Sequence, residues 1–98
     1  MNMQQIMQQA QRMQRDITKK KEELDAMEFT GKSEWVEITF NGKKDVKAFK
    51  ILKDGTIDND DKEMLEDMIL IAMKDAFSKI DKETENKLGQ YASMSGLF

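Results

Sequence analysis

Residues 36–42 read VEITFNG, and the fold class turns on them. Val36, Ile38 and Phe40 alternate with Glu37 and Thr39, the period-2 pattern of a strand with one buried face. Asn41-Gly42 then ends the run. This pair is the strongest short hairpin signal, because a type I′ turn needs φ > 0 at both central residues. Working outward, the strand is expected over Glu34–Phe40 and its partner over Asp45–Leu52, with Phe49 and Ile51 in alternation. A strict two-residue turn would place Lys43, Asp45 and Lys47 on the face of Phe40, Ile38 and Val36. A bulge near Lys43–Val46 would relieve that conflict. Glu28–Lys32 (EFTGK) is a short candidate strand ahead of the hairpin.

The sequence on both sides changes to helical period. Upstream, Met3, Ile6, Ala10, Met13, Ile17, Leu24 and Met27 follow gaps of three and four, with one slot taken by Lys20. A mean spacing of about 3.5 residues describes a heptad seam. The intervening Gln, Lys, Glu and Arg are good helix formers. Downstream, Asp60 followed by Glu63 resembles a capping box, and the acidic run Asp58, Asp60, Asp61, Glu63 suits the positive end of a helix dipole. Leu65, Ile69, Ala72, Ala76 and Ile80 mark one face, widened by Met68, Met73 and Phe77. The pattern weakens toward Leu88, Gly89 is a plausible stop, and residues 91–98 (YASMSGLF) read as a flexible tail. The expected architecture is α+β: a long N-terminal helix, an antiparallel sheet of two or three strands, and a long C-terminal helix, all in one domain over residues 1–98.

A helix over Asn2–Met27 is about 39 Å long, whereas a compact 100-residue domain has a radius of gyration of about 13 Å. Both helices should therefore project past the sheet. A projecting seam needs a partner surface, and the seam together with the Leu65–Ile80 face predicts an obligate homodimer.

Composition narrows the chemistry. The 98 residues include 16 Lys+Arg and 19 Asp+Glu, for a net charge of −3, and no His, Cys or Pro. Without His or Cys there is no Ser-His-Asp or Cys-His nucleophile, no zinc site of the usual Cys/His type and no disulfide framework. The lack of Cys fits a reducing compartment, and the lack of Pro leaves long helices unbroken. No apolar run approaches the roughly 20 residues of a membrane span, and the polar start over Met1–Gln9 is unlike a secretory signal.

Three clusters read as structural. Lys53–Asp58 resembles the centre of an EF-hand loop, but Gly55 at the invariant glycine places Lys50 and Leu52 at ligand positions and Asp61 where a bidentate Glu belongs. Glu63, Glu66, Asp67 and Asp75 lack the pocket that would separate an acid from a base. The nine methionines, among them Met3, Met13, Met27, Met64, Met68 and Met73, suit core packing better than a peptide groove. No enzymatic activity, cofactor, metal or small-molecule substrate is expected.

The basic residues are less easily set aside. Arg12, Arg15 and Lys19 form a stripe, each lying two residues after a seam residue and so about 200° around the helix from it. Lys20 and Lys21 flank the stripe. The chain's two arginines are both here, and arginine suits bidentate phosphate contact. Spacing alone favours a solvated face, with Asp16, Glu22 and Glu23 as neighbours, over nucleic-acid binding, and the net charge argues the same way. In the second helix, Asp75–Lys79 and Glu83–Lys87 are spaced as supporting i, i+4 pairs.

Three segments together resemble the YbaB/EbfC nucleoid-associated proteins: the opening MNMQQIMQQAQRMQ, the hairpin VEITFNG, and DDKEMLEDMILIAMKDAFSKI with its acidic start, LED and A…DA spacing. The resemblance covers nearly the whole chain. It departs from the family's pattern in lacking glycine-rich spacing before the hairpin and in a short tail that keeps SMSGLF. It implies a small bacterial protein, cytoplasmic and located at the nucleoid, whose dimer has a tweezer-like outline. Such proteins bind double-stranded DNA with little sequence preference, in chromosome organisation and gene regulation. The DNA-binding positions would be held by Arg12, Arg15, Lys19, Lys20 and Lys21, with Lys79, Lys82 and Lys87 as further candidates. The alternative is a coiled-coil chaperone or adaptor of prefoldin-like helix-hairpin-helix design. Exposed apolar residues at the helix tips would favour the chaperone and exposed cations the DNA binder.

Overall fold

The computed structural model describes residues 2–91. In chain order its elements are α1 (Met3–Ala26), β1 (Glu28–Lys32), β2 (Val36–Asn41), β3 (Val46–Ile51) and α2 (Lys62–Leu88), with short 3-10 turns at Asn59–Asp61 and Gly89–Tyr91. The antiparallel sheet has the order β1-β2-β3. This is the α+β arrangement expected from the sequence, with the third strand present.

A capping side chain opens α1, and another opens the 3-10 turn that leads into α2. The Asn2 carboxamide oxygen accepts from the Gln4 N–H at 2.9 Å, satisfying a donor that the first turn leaves free. Before α2 the capping box is formed by Asp58 and Asp61, two residues ahead of the expected Asp60 and Glu63. The Asp58 N–H donates to the Asp61 carboxylate at 3.2 Å, and the Asp60 N–H to Asp58 at 3.1 Å. The box caps the 3-10 turn, which then opens into α2. At the other end α2 stops at Leu88 as expected, but Gly89 keeps a helical φ of −58° and the chain tightens into the second 3-10 turn.

The core forms where α2 crosses the sheet. Val36, Ile38 and Phe40 of β2 are at most 2% exposed and face Ala72, Ala76 and Ile80 of α2. Fully burying a side chain the size of Val, Ile or Phe contributes roughly 1.5–3 kcal/mol. The Phe40 and Phe77 rings meet at 4.8 Å between centroids with a tilt of 54°. Small residues set how closely the helix sits. A Cβ at Gly31 of β1 would lie 1.9 Å from the Ala72 carbonyl oxygen and 2.6 Å from the Ala76 nitrogen. The free edge of β1 is covered by the same helix: the Lys79 ammonium donates to the Thr30 carbonyl at 2.7 Å, and the Asp75 carboxylate accepts from the Lys32 N–H at 3.0 Å.

The hairpin differs from expectation in its turn. Gly42 does not have positive φ; the left-handed residue is Lys44, at φ 69°. The Lys44 N–H donates to the Asn41 carbonyl at 2.9 Å, and the Asn41 N–H to the Asp45 carbonyl at 3.0 Å. The loop is therefore three residues, Gly42–Lys44, with the left-handed position last. Asn41 contributes its amide rather than a tolerance of φ > 0: its side-chain oxygen accepts from the backbone of Lys43 at 2.9 Å and of Asp45 at 3.0 Å. The suspected bulge is present at Lys47, one residue past the expected span, because Phe40 pairs with Val46 and Thr39 with Ala48. It returns Phe49 and Ile51 to positions opposite Ile38 and Val36.

α2 covers β1 and β2 but leaves β3 to one side. Val46, Phe49 and Ile51 remain 61%, 46% and 51% exposed on the core-side face of the sheet. The α1 seam divides in two. Ile17 and Leu24 are buried within the chain, so they and Ala72–Ile80 are already packed in one protomer and are not the free faces from which a dimer was expected. Met3, Ile6 and Met7 stay 71%, 42% and 57% exposed on the part of α1 that extends beyond the rest. The protein is accordingly elongated, 70 × 20 × 16 Å with a radius of gyration of 19.5 Å.

Candidate nucleic-acid interface

α1 runs antiparallel to the end of α2. Lys87 lies 3.6 Å from Glu23, and further along, the Tyr91 hydroxyl donates to Asp16. The N-terminal half of α1 continues past that point as an arm. Within residues 2–21 there are five cations and one acid, a local charge of +4.

The structure separates the eight candidate cations. Arg12, Arg15, Lys19 and Lys21 are exposed on α1 and form no ion pair among the described residues. Arg12, Arg15 and Lys19 point away from buried Ile17, as the two-residue offset requires. Lys20 sits apart from this stripe, in the gap of the apolar seam. Its ammonium is 3.4 Å from Asp16 and 5.4 Å from the Tyr91 ring centroid. On α2, Lys82 is exposed without an ion pair among the described residues. Lys79 is held by Thr30 and by Asp75 at 3.5 Å. Lys87 bridges to Glu23 on α1 rather than to Glu83 in its own helix. At 1.5 Å per residue, Lys82 and Lys79 are set back about 13–18 Å from Tyr91 toward the sheet.

Tyr91 is the residue that sequence reasoning missed. Its position suggested a tail, but the 3-10 turn brings it onto α1. Residues 92–98, the rest of that expected tail, lie outside the described residues. Asp16 is held below the usual carboxylate value first by the Tyr91 hydroxyl, against some desolvation, with Lys20 and Lys19 acting in the same direction as the tyrosine. The same hydrogen bond, with desolvation, raises the Tyr91 phenol above its ordinary value of 10.

This geometry suits a polyanion. Arg12, Arg15 and Lys19, exposed on one side of a projecting helix and without an ion pair among the described residues, can each meet a phosphate, and among the described residues no helix is long and apolar enough to cross a membrane. The arrangement defines a small α+β protein with a cationic projecting arm. Comparison of the sequence with known families identifies which: residues 1–95 match the YbaB/EbfC DNA-binding family, and the chain belongs to it. It is 45% identical over 93 residues to a nucleoid-associated protein of Lactobacillus acidophilus, covering 93% of this chain and 83% of the relative. A nucleoid-associated protein of Enterococcus faecalis is 41% identical over 92 residues, 92% of this chain and 88% of the relative. One of Streptococcus pyogenes is 42% identical over 94 residues, 94% of each chain.

Proposed function

We propose that this protein is a non-enzymatic, nucleoid-located homodimer that binds duplex DNA through its phosphates, with little sequence preference, in chromosome organisation and gene regulation. The observation that carries this reading is the set Arg12, Arg15, Lys19 and Lys21 on the α1 arm, exposed and without an ion pair among the described residues. Lys82 is a secondary contributor, whereas Lys20, Lys79 and Lys87 have structural partners. Family membership and the relatives' names support the same reading. The dimer rests on the uncovered apolar surface of β3: Val46, Phe49 and Ile51, 61%, 46% and 51% exposed. A second copy covering that surface would leave both arms free. Sedimentation at low micromolar concentration should give roughly twice 11.4 kDa.

The DNA test is a salt series. Log affinity should fall linearly with log salt, by about 0.9 per phosphate contact. Replacing Arg12 and Arg15 by Ala removes up to four contacts from a dimer, which should flatten the slope by up to about 3.6 and weaken all sequences alike. An unchanged slope with the dimer intact would move the site off α1.

The prefoldin-like reading keeps one supporting observation, the exposed Met3, Ile6 and Met7 at the arm's tip. No DNA binding at about 50 mM salt, together with suppression of aggregation of an unfolded client, would favour it.

A further inference from the structure

We propose that Tyr91 is a positioning residue for DNA binding: by holding the Asp16 carboxylate toward α2, it keeps the arm's lone acid away from Arg12, Arg15 and Lys19. The inference rests on the DNA-binding reading above and deepens it.

Asp16 is the only acidic residue among the first 21, and it sits in the middle of the cationic segment. On a helix its neighbours are Arg12 at i−4, Lys19 at i+3 and Lys20 at i+4, all within pairing reach. A carboxylate free to choose would compete with DNA phosphate for Arg12 or Lys19. In the structure it pairs with neither. One oxygen, Oδ2, accepts from the Tyr91 hydroxyl and is also the atom 3.4 Å from the Lys20 ammonium. Lys20 in turn lies over the Tyr91 ring. The three side chains close on one another at the border between the stripe and the side of α1 that meets α2. A phenol suits this task because it is a neutral donor: it satisfies a carboxylate without occupying a cation. Only Lys20, already in the seam, is given up.

The turn that ends α2 makes this possible. Gly89 retains helical φ as the chain tightens into the 3-10 turn Gly89–Tyr91, which carries Tyr91 back onto α1. The pairing also spans 75 residues of sequence, so it ties the arm's base to the end of the other helix.

The test is a double-mutant cycle on the full chain, read by the salt dependence of duplex DNA binding. Tyr91→Phe keeps the ring under Lys20 and removes only the hydroxyl. It should weaken binding severalfold and flatten the log–log slope by about 0.9 per protomer, as Asp16 turns to a stripe cation and one phosphate contact is lost. Asp16→Asn should strengthen binding, and Tyr91→Phe added to it should change nothing further. A general loss of fold would not produce that dependence on Asp16. A second readout needs no DNA. The chain has a single tyrosine, so tyrosinate absorbance titrates Tyr91 alone, and Asp16→Asn should bring its raised pKa down toward the ordinary value. Parent-like affinity and slope in Tyr91→Phe, or equal effects of that change with and without Asp16, would overturn the inference while leaving the DNA reading in place. Failure of the parent to bind DNA would overturn both.

Discussion

Replacing Gly31 by alanine puts a methyl group where α2 already sits. The added Cβ would fall 1.9 Å from the Ala72 carbonyl oxygen, 2.6 Å from the Ala76 nitrogen and 2.8 Å from the Ala76 Cβ. The first two are helix backbone atoms, so no side-chain rotation relieves the clash, and α2 must withdraw from β1 by more than an ångström. A gap of about 1 Å already forfeits about half of the dispersion well at each contact it opens. The contacts concerned are central, since Ala72 and Ala76 are fully buried. Withdrawal would also stretch the two bonds that bracket Gly31 on the strand's edge, Lys79 to the Thr30 carbonyl and Asp75 to the Lys32 N–H. Overpacking of a close-packed core costs about 1–3 kcal/mol, and loss of the bracketing bonds places Gly31→Ala in the upper half of that range. For a domain of this size about 2–3 kcal/mol lowers Tm by about 10–20 °C. Thermal denaturation followed by circular dichroism, at equal protein concentration, measures it. Gly55→Ala is the comparison: Gly55 has φ +82° but open space around it, so alanine there incurs only the left-handed backbone cost of about 1–2 kcal/mol. A Tm for Gly31→Ala within about 2 °C of the parent, or a smaller drop than for Gly55→Ala, would refute the close approach of α2 and β1.

Two further outcomes follow from the same kind of reading. Gly42→Val should destabilise by about 1 kcal/mol or more, by collision rather than by left-handed strain, because a Cβ there would lie 2.0 Å from the Leu24 carbonyl oxygen; an unchanged denaturant midpoint would refute it. Asp75 is held below the ordinary value of 3.8 first by the Lys32 N–H and then by Lys79, with burial opposing. Its charge therefore stabilises the fold above 3.8, and that stabilisation is lost as pH falls through the lower folded-state value. The Tm advantage of the parent over Asp75→Asn should be full at neutral pH and vanish in acid; an advantage independent of pH would show that the charge is not involved.

The parts of the fold legible in the sequence are those where one periodic face meets one buried surface. Val36, Ile38 and Phe40 announced β2, and Ala72, Ala76 and Ile80 announced the face of α2, because the side-chain period reports which face is buried. It does not report what covers that face. Phe49 and Ile51 alternate as well as Ile38 and Phe40 do, yet one helix covers only two strands, and β3 is left open. Asn-Gly was correctly a turn, but its chemistry was ambiguous: the pair serves a two-residue loop through backbone freedom, and here serves a three-residue loop through the Asn41 amide. Glycines whose role is close approach carry no local mark at all. The cationic stripe was visible because it needs only helix geometry. That Lys79 and Lys87 are engaged elsewhere was not, since their partners Thr30 and Glu23 come from other elements. The seam's missing slot at Lys20 has its explanation in Tyr91, which packs there from the far end of the chain.

The acidic net charge, which argued against a polyanion partner, weighs less once the charges are placed. The excess lies in residues 58–98, with five basic and ten acidic residues, and six of those ten acids fall between Asp58 and Asp67. α2 runs antiparallel to α1 and delivers its C-terminal end, not its acidic start, to the base of the arm. Its 27 residues separate the two by about 40 Å. At physiological ionic strength the Debye length is about 8 Å, so the Asp58–Asp67 cluster is screened from the arm several times over. A phosphate approaching Arg12 meets a segment of charge +4 whose one acid is held by Tyr91. On the proposed DNA-binding reading, the free cations on the arm set the affinity, with the Asp58–Asp67 acids nearly silent. In the proposed dimer, joined through β3, both arms keep that property.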